Sequence, residues 1–283
     1  MKSVLRVAYL VLFAAIAGAP IAGSEAAPKD IGMVLIHGGA LIPEDPALAK
    51  GKGKPPTDNT WSLFNRNQFA DALVKEGYQV VRGVFPWAPF RNWDATMPAG
   101  MKELDASIAK LRASGAGKIV LVGESMGANV ALLYAVAKPE IAGVVVTSIG
   151  PGPDNWPEVE AAYTSAKEAI AKGDGDKIYF LPGTNSGTTP YKARVTPRIW
   201  YSYYGPEGFL PWDKAYRELR ADMPVLFVIG GHDKAGIDKM AKVFDRSKEP
   251  AHRSYEIVAD AQHFDIMVKS TPVVIPWLKQ TFP

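Results

Sequence analysis

Cysteine is absent from the 283 residues, and neither sign of charge is in marked excess. Without cysteine the chain cannot form disulfides, thiolate zinc sites, a cysteine nucleophile or a lipidated lipoprotein cysteine. The 32 Lys and Arg residues against 29 Asp and Glu give a net charge of +3, which is too small and too evenly mixed to attract nucleic acid. With 47% hydrophobic and 22% charged residues, the composition excludes disorder, collagen and coiled coil.

The N-terminal apolar run is too short to span a bilayer. It covers residues 7–17, whereas a transmembrane helix needs roughly 20 apolar residues. Lys2 and Arg6 precede the run and small residues follow it, so we expect a signal peptide over residues 1–26 that is cleaved after Ala26. This predicts a secreted or periplasmic protein with no stable membrane span after processing. The alternative is an uncleaved anchor.

Apolar runs and helical patterns alternate along the rest of the chain, which predicts a largely parallel sheet with helices on both faces. The predicted buried strands are residues 32–36, 78–84, 118–122, 143–148 and 223–229. A sixth run, 253–258, is more polar and suits an edge strand. The predicted helices are residues 65–76, 100–113, 126–137, 237–245 and 273–280. We therefore predict one three-layer α/β domain over residues 27–283.

Two segments interrupt this alternation. Residues 40–59 form a loop rich in Pro, Gly and Lys, which is either a surface excursion or a substrate flap. Residues 153–216 are an insertion between the fourth and fifth predicted strands, and they hold 12 of the 29 aromatic residues. We expect these aromatic side chains to be buried in a small core of the insertion's own, over a pocket, or both.

A serine lies between a predicted strand and a predicted helix in the segment Gly123-Glu124-Ser125-Met126-Gly127. When a serine occupies a sharp turn, the residues two positions before and after it approach closely, and only glycine fits there. The turn would raise the hydroxyl above the carboxyl edge of the sheet, near the amino end of a helix. We predict that Ser125 is a nucleophile; the alternative is a glycine-rich turn with a solvent-facing serine.

A second turn, His37-Gly38-Gly39, ends the first predicted strand. Glycine lets backbone N–H groups approach a developing oxyanion, so we predict an oxyanion hole formed by the N–H groups of Gly39 and Met126. His37 precedes Ser125 on a separate strand end. We therefore expect its side chain to hold this loop in place rather than to transfer protons.

With these two turns the chain resembles the α/β-hydrolase superfamily from about residue 31 to residue 283. In that family the acid follows the strand before the last, and the histidine follows the last strand. The segments GGHD at 230–233 and AQHF at 261–264 match those places. The resemblance therefore implies a triad of Ser125, Asp233 and His263, with residues 153–216 as a cap. The chain departs from the usual family plan in one respect, because the strand before the His-Gly-Gly turn follows almost directly after residue 26. We therefore expect about six parallel strands rather than eight.

Other candidates for the base and the acid can be weighed by position. Only His232, His252 and His263 follow the serine. His252 precedes the last predicted strand and would lie at the opposite edge of a parallel sheet, and His232 adjoins the acid candidate. For the acid, Asp154 follows the fourth predicted strand and remains an alternative to Asp233.

The predicted function is that of an exported carboxylic-ester hydrolase that forms an acyl-enzyme on Ser125. His263 would take and return the proton, and Asp233 would orient the imidazole. This chemistry requires no metal and no organic cofactor, and the aromatic insertion favours a small apolar or aromatic ester. Other chemistry on the same fold, by an amidase, thioesterase or acyltransferase, is an alternative, as is a non-catalytic binding protein.

Overall fold

The structure is a computed structural model that describes residues 28–39, 60–88, 91, 93–150, 157–183, 191–205, 212–245 and 248–283. The predicted signal peptide, the loop at 40–59 and the alternative acid Asp154 lie outside these ranges. A short 3-10 turn, Pro28–Asp30, leads into the first strand.

Six parallel strands form the central sheet, and two antiparallel strands form a separate ribbon. In chain order the strands are β1 (Ile31–Ile36), β2 (Gln79–Arg82), β3 (Lys118–Ser125), β4 (Gly143–Ile149), β5 (Tyr179–Gly183), β6 (Tyr191–Val195), β7 (Val225–Gly230) and β8 (Arg253–Val258). The order across the sheet is β2-β1-β3-β4-β7-β8. All six predicted strands of the sheet are confirmed, and the polar strand β8 lies at an edge as predicted.

Helices cover both faces of this sheet. They are α1 (Thr60–Lys75), α2 (Met97–Ala113), α3 (Met126–Ala137), α4 (Pro157–Ala171), α5 (Pro197–Tyr204), α6 (Trp212–Glu218), α7 (Lys234–Val243), α8 (Ile266–Lys269) and α9 (Thr271–Thr281). Alternate residues of β3 belong to two different cores, because successive strand side chains point to opposite faces. Leu121 packs in the core that includes α2 and α3, whereas Val122 packs in the core that includes α1, α8 and α9. The three-layer prediction is therefore confirmed.

The aromatic insertion joins the main core. Its described part contains α4, the ribbon of β5 and β6, α5 and α6, none of which the alternation of patterns predicted. Trp200, Tyr203 and Tyr204 are buried in the same cluster as Trp93 and the sheet. The Tyr203 ring lies 4.4 Å from the Trp93 ring, and its hydroxyl donates to the Ala95 carbonyl at 3.1 Å. These buried rings thus bind the insertion to the loop before α2 rather than form a core of their own.

Candidate active site

Ser125 occupies a strained turn between β3 and α3. Its φ of 53° and ψ of −122° lie in a region that residues other than glycine rarely adopt. A Cβ atom on Gly123 would overlap the carbonyl oxygen of Gly127, and one on Gly127 would overlap that of Ile36. The close approach predicted for residues two before and two after the serine is therefore present. The side chain of Ser125 remains partly exposed above the sheet.

The His-Gly-Gly turn lies directly against the serine. A Cβ atom built on Gly38 would be 3.0 Å from the Ser125 Cβ and 3.7 Å from its Oγ, so the turn leaves room for little besides glycine. Gly39, the next residue, packs against the backbone carbonyl of Trp87. Met126 follows the serine as the first residue of α3 and is buried. The two predicted oxyanion donors thus lie on the two backbone segments next to Ser125.

His37 is buried and holds the turn, as its position suggested. Its Nε2 accepts a hydrogen bond from the Phe85 N–H at 3.1 Å, and its Nδ1 lies 2.6 Å from the Gly38 carbonyl. An Nε2 that accepts leaves the proton on Nδ1, which then donates to that carbonyl. The His37 carbonyl in turn accepts from the Trp87 indole at 2.9 Å. Burial lowers the pKa of His37 to about 3, so the ring is neutral.

Asp233 and His263 form a hydrogen-bonded pair. The His263 Nδ1 lies 2.7 Å from Asp233 Oδ2, while Asp233 Oδ1 accepts from the Gly236 N–H at 3.0 Å at the start of α7. Burial by itself raises the pKa of Asp233, but the hydrogen bond and charge of His263, together with the other donors, hold it below its usual value. Because Nδ1 is directed at the carboxylate, Nε2 is the ring nitrogen that can act as a general base when the imidazole is neutral.

The parallel sheet brings these residues to one edge. Ser125 ends β3, Asp233 follows β7 and His263 follows β8, so all three lie at the carboxyl ends of strands. His252 precedes β8 and lies at the opposite edge, where its Nε2 is 2.7 Å from the Ala221 carbonyl. His232 is exposed. Of the histidines that follow the serine, His263 is the one held by a carboxylate at this edge.

Ser148 is a site residue that the sequence reasoning missed. It lies in β4, the strand between β3 and β7, and its side chain is fully buried. Its Oγ donates to Asp233 Oδ2 at 3.1 Å. The serine at the end of the apolar run GVVVTS was visible in the sequence, but no spacing connected it to a residue 85 positions later.

Two further side chains surround the site. Arg66 of α1 is buried, donates to the Gly83 carbonyl and attracts the buried Glu124 beside the serine. Phe264 follows His263 and is 57% exposed, with its ring edge-on to the imidazole at 5.1 Å between centroids. Neither was singled out from the sequence, because neither belongs to a recognisable spacing.

In the described ranges, no three His, Asp or Glu side chains lie close enough together to hold a metal ion. Among the described residues, no helix combines the length and the apolar character of a membrane span.

Comparisons with known proteins support the predicted fold. Residues 33–274 match the sequence profile described as the alpha/beta hydrolase family. The curated protein 2-hydroxy-6-oxononadienedioate/2-hydroxy-6-oxononatrienedioate hydrolase 1 of Dechloromonas aromatica is 33% identical over 100 residues. That match covers 33% of this chain and spans 32% of the relative's length.

Solved structures share the fold at low sequence identity. The monoacylglycerol lipase of Paleococcus ferrophilus superposes with a TM-score of 0.55 at 17% identity, covering 90% of this chain and 96% of that one. The esterase domain of a Rhodothermus marinus protein gives a TM-score of 0.53 at 16% identity, covering 91% of this chain and 89% of that one. At such identities the likeness concerns the fold alone.

Proposed function

Because this chain belongs to the alpha/beta hydrolase family, we propose that it is a serine hydrolase that cleaves carboxylic esters with Ser125, His263 and Asp233. The observation that carries the proposal is the 2.7 Å hydrogen bond from His263 to Asp233 at the sheet edge where Ser125 occupies its strained turn. A buried carboxylate that orients a histidine near such a serine is the arrangement that serine hydrolases use.

In the proposed reaction Ser125 Oγ attacks the ester carbonyl carbon while His263 Nε2 takes the hydroxyl proton. The tetrahedral intermediate collapses when His263 returns this proton to the leaving alcohol, which gives an acyl-enzyme. A water molecule then attacks the acyl carbon with His263 again as base, and the acid product leaves. The N–H groups of Gly39 and Met126 hold the oxyanion, and each such donor contributes about 3 kcal/mol to the transition state.

The substrate that we propose is a small ester with an apolar or aromatic group. Phe264 supports this, because a phenyl ring that is 57% exposed and touches the imidazole offers an apolar wall beside the reacting bond. The aromatic side chains of the insertion supply less support than their number suggested. Trp200, Tyr203 and Tyr204 are buried in the core and are not available to a ligand.

A second candidate is hydrolysis of a hydroxy-oxo dienedioate. It is favoured by the 33% identity over 100 residues with the Dechloromonas aromatica hydrolase that is named for such substrates. The same serine, histidine and acid would serve, so the choice between the two depends on substrate tests.

We also propose that the protein acts outside the cytoplasm, secreted or periplasmic, after loss of residues 1–26. The charged start and the apolar run of the N-terminus support this. The mass of the protein purified from its natural host tests the proposal: a chain that begins at Ala27 is expected, and a full-length, membrane-bound chain would favour the anchor instead.

A fluorophosphonate probe tests the enzymatic proposal directly. We expect one covalent adduct on Ser125, lost in Ser125→Ala and retained in Ser270→Ala, which removes a buried hydroxyl bonded to the Met267 carbonyl. Turnover is then measured with p-nitrophenyl esters of graded acyl length, aromatic esters, matching amides and a hydroxy-oxo dienedioate. A folded protein without an adduct at any probe concentration would contradict the proposal.

A further inference from the structure

Ser148 occupies an unfavourable backbone conformation at the end of β4. Its φ of 59° lies in the left-handed region, where glycine is the residue that carries no steric cost. The side chain has no exposure to solvent, so contact with water offers no reason for a hydroxyl. A strained, buried serine is kept only where its surroundings require it, and such positions cluster at functional sites.

The hydroxyl of Ser148 donates a hydrogen bond to the carboxylate of Asp233. It donates to Oδ2 at 3.1 Å, which is the oxygen that also accepts from His263 Nδ1 at 2.7 Å. The Gly236 N–H occupies the other oxygen at 3.0 Å. With two donors on Oδ2 and one on Oδ1, both oxygens of the carboxylate are held, and hydrogen bonds to a charged group are stronger than those between neutral groups.

Ser148 also connects the acid to the strand beside the nucleophile. The residue after it, Ile149, is the register partner of Ser125 between β4 and β3. The hydroxyl adds a side-chain link to the pairing of β4 with β7, between the segment that holds Ser125 and the segment that holds the acid.

We propose that Ser148 is a positioning residue that holds the Asp233 carboxylate in the orientation in which it aligns His263. The role rests on the triad of the proposed function, and it goes beyond that triad because the hydrogen bond of Ser148 is to the acid. The residue acts only through Asp233. Its removal should slow the chemical step and leave substrate binding unchanged.

The test uses two replacements that differ in the backbone and share the lost hydroxyl. Ser148→Ala keeps the strained backbone conformation, whereas Ser148→Gly relieves it. A loss of activity that both variants share is therefore caused by removal of the hydroxyl. We expect kcat to fall about 10-fold to 100-fold in both, by the usual strength of a hydrogen bond to a charged group, with KM within about twofold. Ser270→Ala, which also removes a fully buried hydroxyl, should leave kcat unchanged.

A spectroscopic measurement separates this proposal from the enzymatic one. The Nδ1 proton that His263 shares with Asp233 gives a downfield proton NMR resonance, which should move in Ser148→Gly and not in Ser270→Ala. An active parent protein in which Ser148→Gly changes neither kcat nor this resonance would overturn the role of Ser148 alone. A parent protein without turnover or adduct, in which the resonance still moves, would instead overturn the hydrolase proposal alone.

Discussion

Acid should destabilise this protein through the buried histidine His37 as the pH falls from 6.5 to 4.5. The ring is 1% exposed, accepts from the Phe85 N–H and is neutral in the folded state, with its pKa lowered from 6.5 to about 3 by burial. In the unfolded chain the ring takes up a proton near pH 6.5. Between pH 6.5 and about 3 the unfolded state therefore holds one proton more than the folded state at this position, and stability falls as the pH falls.

The size of the effect follows from the shift. The stabilisation is complete above pH 6.5 and declines by about 1.4 kcal/mol per pH unit below it. At pH 4.5 the loss is about 3 kcal/mol, a sizeable part of the roughly 5–15 kcal/mol by which proteins are stable. Asp233 contributes little between pH 6.5 and 4.5, because a carboxyl with a pKa lowered from 3.8 loses its stabilisation only near and below that pH.

Urea unfolding at pH 7.5, 6.5, 5.5 and 4.5 measures this slope. We expect His37→Gln to be less stable than the parent at pH 7.5, because its amide cannot reproduce both ring hydrogen bonds, but to lose about 3 kcal/mol less between pH 7.5 and 4.5. His232→Gln, which replaces an exposed histidine, should follow the parent. Parallel curves for the parent and His37→Gln would refute the reasoning.

Three further predictions concern the site. Asp233→Asn should lower kcat by up to about 10⁴-fold in a protein that stays folded. The control Asp265→Asn, near His263, should leave kcat near normal. Near-normal turnover in Asp233→Asn would indicate that Asp154 is the acid instead. Phe264→Ala should lower kcat/KM for aromatic esters about 10-fold and should change kcat/KM for acetate esters little. The control Phe180→Ala replaces a side chain that is 52% exposed on β5 and should change kcat/KM for neither ester. Equal losses for both esters would contradict an apolar wall at Phe264. Gly127→Ala should lower the free energy of unfolding by about 3 kcal/mol or prevent folding, because its Cβ would overlap the Ile36 carbonyl. The control Gly117→Ala, whose Cβ would lie 3.8 Å from the nearest atom, should leave the thermal unfolding temperature nearly unchanged.

Much of the sheet and the serine turn could be predicted because both depend on near neighbours. A buried parallel strand is apolar on both faces, so each appears as a continuous apolar run. The turn at Ser125 needs glycine two residues away on either side, and that spacing is visible within five positions. The edge position of β8 followed from the polar residues within it.

The helices and strands of the insertion could not be predicted from the sequence, for a different reason. Its helices α4 and α5 and the ribbon of β5 and β6 bury their apolar faces against the domain and one another, so their aromatic content did not show which surface they would cover. The high aromatic content suggested a pocket lining. The Trp93 and Tyr203 rings instead pack 4.4 Å apart in the core.

The amino-acid sequence by itself determined the fold class, the serine turn and the strand ends, because these follow from apolar runs and from spacings of a few residues. The choice of Asp233 and His263 at two of those strand ends came from the resemblance to the α/β-hydrolase superfamily. Tertiary structure alone decided that Ser148 donates to Asp233 and that Phe264 stays exposed beside His263. The Ser148–Asp233 contact joins residues that are 85 positions apart in the chain, and the exposure of Phe264 depends on which distant segments pack around it. They depend on how the strands order themselves across the sheet, and no local pattern of residues encodes that order.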